Sequence, residues 1–116
     1  MEDHGNPILI AQNGPLQGRR WSLTKLRVVI GRDPGCDVVV ADKVVSRQHA
    51  FLSHEEDRWI LEDNSKNGTM INNLLVGDNM EVNDGDILSI ATAVRLAFVG
   101  SDATDSSSNR KNIAVI

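Results

Sequence analysis

Three short stretches concentrate the residues able to bind or react. Gly31-Arg32 follows the apolar run Val28-Val29-Ile30, Ser46-Arg47-Gln48-His49 leads into Ala50, and Ser65-Lys66-Asn67-Gly68-Thr69 leads into Met70. Together they hold two guanidinium groups, hydroxyls, an ammonium and an amide, with no carboxylate among them. Such a set suits an oxyanion: arginine presents two parallel N–H donors, and hydroxyl and backbone N–H groups add short bonds. It suits acid–base catalysis poorly, because no paired carboxylates stand beside it. Ser46 and His49 could serve as nucleophile and base, but their odd spacing at a strand entry points them to opposite faces, and no orienting carboxylate is evident.

Groups of this kind must be held by rigid elements, and the rest of the sequence supplies short strands. Apolar or alternating runs occupy Ile8 to Ala11, Trp21 to Thr24, Arg27 to Ile30, Asp37 to Val40 and His49 to Ser53. Further runs fill Arg58 to Glu62, Thr69 to Ile71, Ile87 to Ile90 and Val94 to Val99. Turn signals separate them: Asn13-Gly14-Pro15, Asp33-Pro34-Gly35, Glu55-Glu56-Asp57, Asn67-Gly68, Gly77-Asp78-Asn79 and Asp84-Gly85. No amphipathic stretch has helical spacing. Short strands at this density predict an all-β fold, an antiparallel sandwich or barrel, with function on loops at one end.

The 116 residues suffice for one domain. Apolar residues at 41% and charged residues at 24% exclude wholesale disorder. Sixteen acidic against twelve basic residues give a net charge of −4, which argues against a general nucleic-acid binder. Trp21, Phe51, Trp59 and Phe98 are too few for a base-stacking platform. A single cysteine, Cys36, excludes an intramolecular disulfide and fits a small, partly apolar role better than a reactive thiol. His4 and His54 lack partners at metal spacing, so no metal site and no cofactor are expected. The polar Met1-Glu2-Asp3-His4-Gly5 lacks the order of a signal peptide, and no apolar run is long enough to span a membrane. The expectation is a soluble, cytoplasmic protein with no membrane partner, monomeric as an isolated domain. Residues 1–7 read as an N-terminal arm, 8–99 as the domain, and the Ser/Asp-rich 100–116 as a flexible tail.

Gly31-Arg32, Ser46-Arg47-x-His49, Ser65-x-Asn67-Gly68-Thr69 and Asn72, in this order and followed by Asp84-Gly85-Asp86, resemble the forkhead-associated (FHA) domain signature. The strand pattern extends the resemblance over Ile8 to Val99. The resemblance implies a β-sandwich of two sheets with about eleven strands and a non-catalytic module that binds phosphothreonine peptides. Carried over residue by residue, it makes Arg32 and Ser46 the phosphate ligands, with Arg47 flanking the pocket. Asn67 would bond the peptide backbone, and Asn72 would belong to the phosphopeptide-binding set. Lys66 stands where the family often has a hydroxyl residue touching the phosphate. Gly31, Gly68 and His49 would be structural: Gly68 permits a tight turn and His49 braces the loops. Asn73 stands where the family usually has glycine, and asparagine is the next best residue for a positive φ.

Implied partners are phosphothreonine-containing proteins, substrates of a serine/threonine kinase, in signalling. Phosphothreonine carries about −1.5 to −2 charges and three acceptor oxygens, which the three loops can meet. Two alternatives stay open at this level: an interaction domain of the same fold that works without phosphate, and an enzyme using Ser46 and His49. Glu55-Glu56-Asp57 and Glu62-Asp63 read as solvated turn and strand-end charges, and Trp21 and Trp59 as core or sheet-cover residues.

Overall fold

A computed structural model describes residues 6–100. The readings of 1–7 as an arm and 100–116 as a tail fall almost wholly outside the described residues. Eleven strands follow in order: β1 (Ile8–Ala11), β2 (Arg20–Ser22), β3 (Arg27–Gly31), β4 (Val38–Val39), β5 (Ala50–Glu55), β6 (Arg58–Asp63), β7 (Thr69–Ile71), β8 (Leu74–Leu75), β9 (Asn79–Val82), β10 (Ile87–Ile90) and β11 (Val94–Val99). They form a six-stranded sheet in the order β2-β1-β11-β10-β7-β8 and a five-stranded sheet in the order β4-β3-β5-β6-β9. Among the described residues, no helix is long and apolar enough to cross a membrane.

Period-two alternation builds the core. Leu9, Ala11, Leu88, Ile90, Leu96 and Phe98 point inward from the larger sheet, and Val28, Ile30, Leu52, Leu61 and Val82 from the smaller one, all buried. Trp21 and Trp59 pack against this core without being fully enclosed. Two-residue turns at positive φ join the hairpins: Glu56 (φ 50°) and Asp57 (φ 67°) between β5 and β6, Asn72 (φ 50°) and Asn73 (φ 71°) between β7 and β8. Asn73 thus takes the positive φ that glycine would otherwise supply.

The expected sandwich is antiparallel with one exception. β3 and β4 pair in parallel through Ile30↔Val38 and Gly31↔Val39. Two strands lie outside the runs read from the sequence. Leu74–Leu75 is a minimal edge strand, and β9 begins inside the stretch Gly77-Asp78-Asn79 that reads as a turn.

Candidate functional site

His49 ties the three loops into one frame. Its side chain is fully buried. The Ser46 backbone N–H donates to its Nδ1 at 3.0 Å, so Nε2 must carry the ring proton and donates to the Gly68 carbonyl at 2.9 Å. Its backbone N–H donates to Ile30 at 2.8 Å, and its carbonyl accepts from Asn64 at 2.9 Å. One residue therefore joins the end of β3, the β4–β5 loop and the β6–β7 loop. Both ring nitrogens are engaged with the backbone, so neither serves as base to the Ser46 hydroxyl.

Gly31 is required by close approach, not by a special φ. A Cβ there would run into the Arg47 carbonyl, with Cys36 Sγ at 3.0 Å. The Cys36 thiol donates to that same carbonyl at 3.1 Å. Burial, with the nearby Asp33 charge, pushes its pKa up, so the group stays a protonated thiol.

The exposed groups lie on this frame. The Arg32 backbone N–H donates to Ser46 O at 3.0 Å, and its Nε donates to Val45 O at 2.8 Å. The guanidinium is thereby oriented by a carbonyl, while its terminal nitrogens have no partner among the described residues. Ser46 Oγ accepts the Lys66 backbone N–H at 3.0 Å, which leaves its own proton to donate. Asn67 Nδ2 donates to Val44 O at 2.7 Å, and its Oδ1 has no partner among the described residues. Gly68 adopts φ +95° and donates its N–H to Ser65 Oγ at 2.8 Å. Arg47 and Lys66 are exposed on the rim. The ion pairs among the described residues are Lys25–Asp37 and Arg58–Glu81; neither involves Arg32, Arg47 or Lys66.

Two readings need correction. Asp63 is not merely a solvated strand-end charge: its Oδ1 accepts from Ser65 N at 3.0 Å, Ser65 Oγ at 2.6 Å and Thr69 Oγ1 at 2.8 Å. It shapes the loop that carries Lys66 and Asn67, and the two hydroxyls it engages are spent internally. The sequence signal is the Asp63-x-Ser65 spacing of an Asx turn. Asn72 does not join the others. It lies past the opposite end of β7, its Nδ2 donating to Asp86 Oδ1 at 2.8 Å while its Oδ1 accepts from Ile87 N at 2.9 Å. Both ends of its amide are used to pin the β7–β8 turn to the β9–β10 turn, so it is a structural residue here.

Arg32, Ser46, Arg47, Lys66 and Asn67 thus share one end of the sandwich, on loops braced by His49, Gly31 and Gly68. Known proteins resemble this chain in sequence and in fold. The chain is 31% identical to the glycogen accumulation regulator GarA of Mycolicibacterium smegmatis over 106 residues, covering 90% of this chain and 66% of the relative. It is 30% identical to the oxoglutarate dehydrogenase inhibitor of Corynebacterium jeikeium over 96 residues, covering 82% of this chain and 65% of the relative. The chain therefore spans slightly less than two thirds of the length of these relatives. Among solved structures, an FHA domain studied for phosphothreonine-dependent interactions superposes with a TM-score of 0.72 at 28% identity, covering 80% of this chain and 94% of that one. EmbR of Mycobacterium tuberculosis, in complex with a low-affinity phosphopeptide, gives a TM-score of 0.75 at 25% identity, covering 82% of this chain and 24% of that one. The family described as FHA domain matches residues 28–91, more than half of the sequence, and the chain belongs to it.

Proposed function

We propose that this chain is a phosphothreonine-peptide-binding module that joins phosphorylated partners in signalling, and that it is not an enzyme. The observation that carries the reading is that Arg32, its backbone N–H on Ser46 O and its Nε on Val45 O, keeps terminal nitrogens without a partner among the described residues beside a Ser46 hydroxyl whose oxygen is already held by Lys66 N–H. A dianionic phosphate would take the two guanidinium N–H groups and the serine proton, each a charge-assisted bond. Asn67 would present Oδ1 to a peptide N–H, its Nδ2 being fixed on Val44. Arg47 and Lys66 add positive potential at the rim of a protein whose net charge is −4. The FHA relatives with phosphothreonine-dependent interactions and a bound phosphopeptide support this use of the end loops. Residues 8–99 form the binding unit, acting in the cytoplasm on kinase substrates.

An FHA-fold interaction domain that ignores phosphate would have no use for an arginine oriented by Val45 O whose terminal nitrogens have no partner among the described residues. Titration calorimetry with one peptide in three forms decides between the readings. Phosphothreonine should bind, phosphoserine should bind about fourfold more weakly for want of one buried methyl group, and the unphosphorylated form should not bind measurably. Equal affinity of the phosphorylated and unphosphorylated peptides would overturn the proposal.

A further inference from the structure

Alternation along β1, β10 and β11 leaves an apolar patch in the middle of the outward side of the six-stranded sheet. Register places Ile10, Ala97 and Ile87 in one row across the sheet, with Ile8 beside Val99 in the next. All five are partly exposed, and none belongs to the core or packs against it. The adjoining row runs from Arg95 and Ser89 to Met70 and Leu75, which is 67% exposed. An antiparallel sheet facing water normally alternates apolar-in with polar-out. The five-stranded sheet is closer to that rule, with Arg27, Ser53, Glu62 and Glu81 on its outer side.

Charge at the two ends of this face is opposite. Arg20 pairs with Ile10, and Arg95 lies at the start of β11 on the same face. At the far end of β11, Asp84 Oδ1 accepts the Gly100 N–H at 2.9 Å beside Val99. The face thus carries its own complement. We infer that it is a docking surface for a second copy of this chain. The two-fold axis lies between the sheets and across their strands. That axis lays β11 on the partner's β11 in the reverse direction, apolar stripe on apolar stripe. It also brings Arg95 of each copy toward the end of β11 where the other copy holds Asp84. An axis along the strands would instead set arginine against arginine. Self-complementarity of this kind is what a closed two-fold dimer requires.

The area sets the strength. Six strands about 4.8 Å apart and two to six residues long give a face on the order of 350 Å² per copy, below the roughly 800 Å² per partner of a standard interface. The dimer is therefore weak and reversible, and it leaves both loop ends open, one at each end of the pair. It departs from the monomer expected from sequence, and it is independent of the phosphopeptide reading.

Sedimentation velocity on the full chain, from about 10 μM to about 1 mM, tests this over the range where so small an interface should associate. The average mass should climb from 12.7 kDa toward twice that value. Ile10→Glu, or Ala97→Glu if the first variant melts abnormally, should abolish the climb, since neither side chain contacts the core. Arg95→Glu should weaken association at least threefold, and adding Asp84→Arg in the same chain should restore it. A mass constant at the monomer value up to the highest concentration overturns the proposal. So does association that Ile10→Glu leaves unchanged, or a charge swap that fails to restore it. Phosphopeptide titration of the same variants should stay within twofold of the parent, so that failure of one reading is told apart from failure of the other.

Discussion

Arg32 and His49 both bond the Ser46 segment, with opposite consequences. Arg32 uses its Nε on Val45 O and keeps its terminal nitrogens outside, so truncation opens no core cavity. Arg32→Ala should cost at least tenfold in phosphopeptide affinity, because losing one partner of a desolvated charge pair costs roughly 2–5 kcal/mol. Its thermal midpoint should fall by only a few degrees, for the loss of one partly buried hydrogen bond. Calorimetry paired with thermal melts checks this; unchanged affinity would remove Arg32 as the anchor. His49 is fully buried and satisfies Ser46 N and Gly68 O at once. His49→Ala leaves both without partners, at about 1–3 kcal/mol for each buried group. The midpoint should drop by on the order of 10 °C or more in a domain of this size. Whatever folded protein remains below that midpoint should still distinguish phosphorylated from unphosphorylated peptide. A His49→Ala protein that melts like the parent would show that the loops hold without the brace.

Between residues and fold, the least regular element is the parallel pair of β3 and β4, whose two-residue partner strand leads into the loop carrying Ser46. Asp37 holds it in place. Its Oδ2 accepts Val29 N at 2.8 Å, its own N–H donates to Val29 O at 2.9 Å, and its Oδ1 takes Lys25 Nζ at 2.8 Å. Burial alone would raise its pKa, but the Lys25 hydrogen bond, the Val29 N–H and the Lys25 charge outweigh burial and hold the carboxyl below the ordinary value. A depressed carboxylate adds stability that is present above its unfolded pKa of about 3.9 and disappears as pH falls through the lower folded value. Asp37→Asn should therefore melt below the parent at pH 7, with the gap narrowing once the pH drops under about 4. Parallel melting curves across that range would refute the assignment. The same region shows what the sequence could and could not tell. Ile8–Ala11, Thr69–Ile71, Ile87–Ile90 and Val94–Val99 are legible to the residue because β-branched alternation with flanking turn residues marks them. Leu74–Leu75 and the polar Asn79–Val82 are edge strands that depend on neighbours more than on propensity, and the parallel register of β4 has no local signal. In the loops, the clustering of Arg32, Ser46 and Asn67 followed from their strand-end positions. The misplacement of Asn72 arose because β7 carries the chain away from that end before the turn. Asp63 was missed because its task depends on Thr69, which only the fold brings to it.

For the whole molecule, the family match at residues 28–91 contains every group of the binding loops but not a complete fold. Outside it lie β1, β2 and β11, half of the six-stranded sheet. With them go the buried side chains of Leu9, Leu23, Val94, Leu96 and Phe98. At about 1.5–3 kcal/mol for each fully buried large apolar side chain, their loss is comparable with the total stability of a domain, about 5–15 kcal/mol. It would also expose the four-residue β10 as a new sheet edge. A fragment of residues 28–91 should therefore be unfolded by circular dichroism and show no phosphopeptide affinity, although it keeps Arg32, Ser46 and Asn67. A fragment of residues 6–100 retains all eleven strands and every hydrogen bond of the loop frame. It should match the full chain in thermal midpoint to within a few degrees and in affinity to within twofold. If 28–91 folded and bound, the outer three strands would be dispensable and β1 would have no role in presenting the loops. If 6–100 failed to bind, the end loops would need groups from outside the sandwich. The closure of the larger sheet by β1 against β11, residue by residue from Ile8↔Val99 to Ala11↔Leu96, argues for the first pair of outcomes. It joins the two ends of the folding unit side by side, so the loops at the far end rest on a core that neither terminus can leave without opening it.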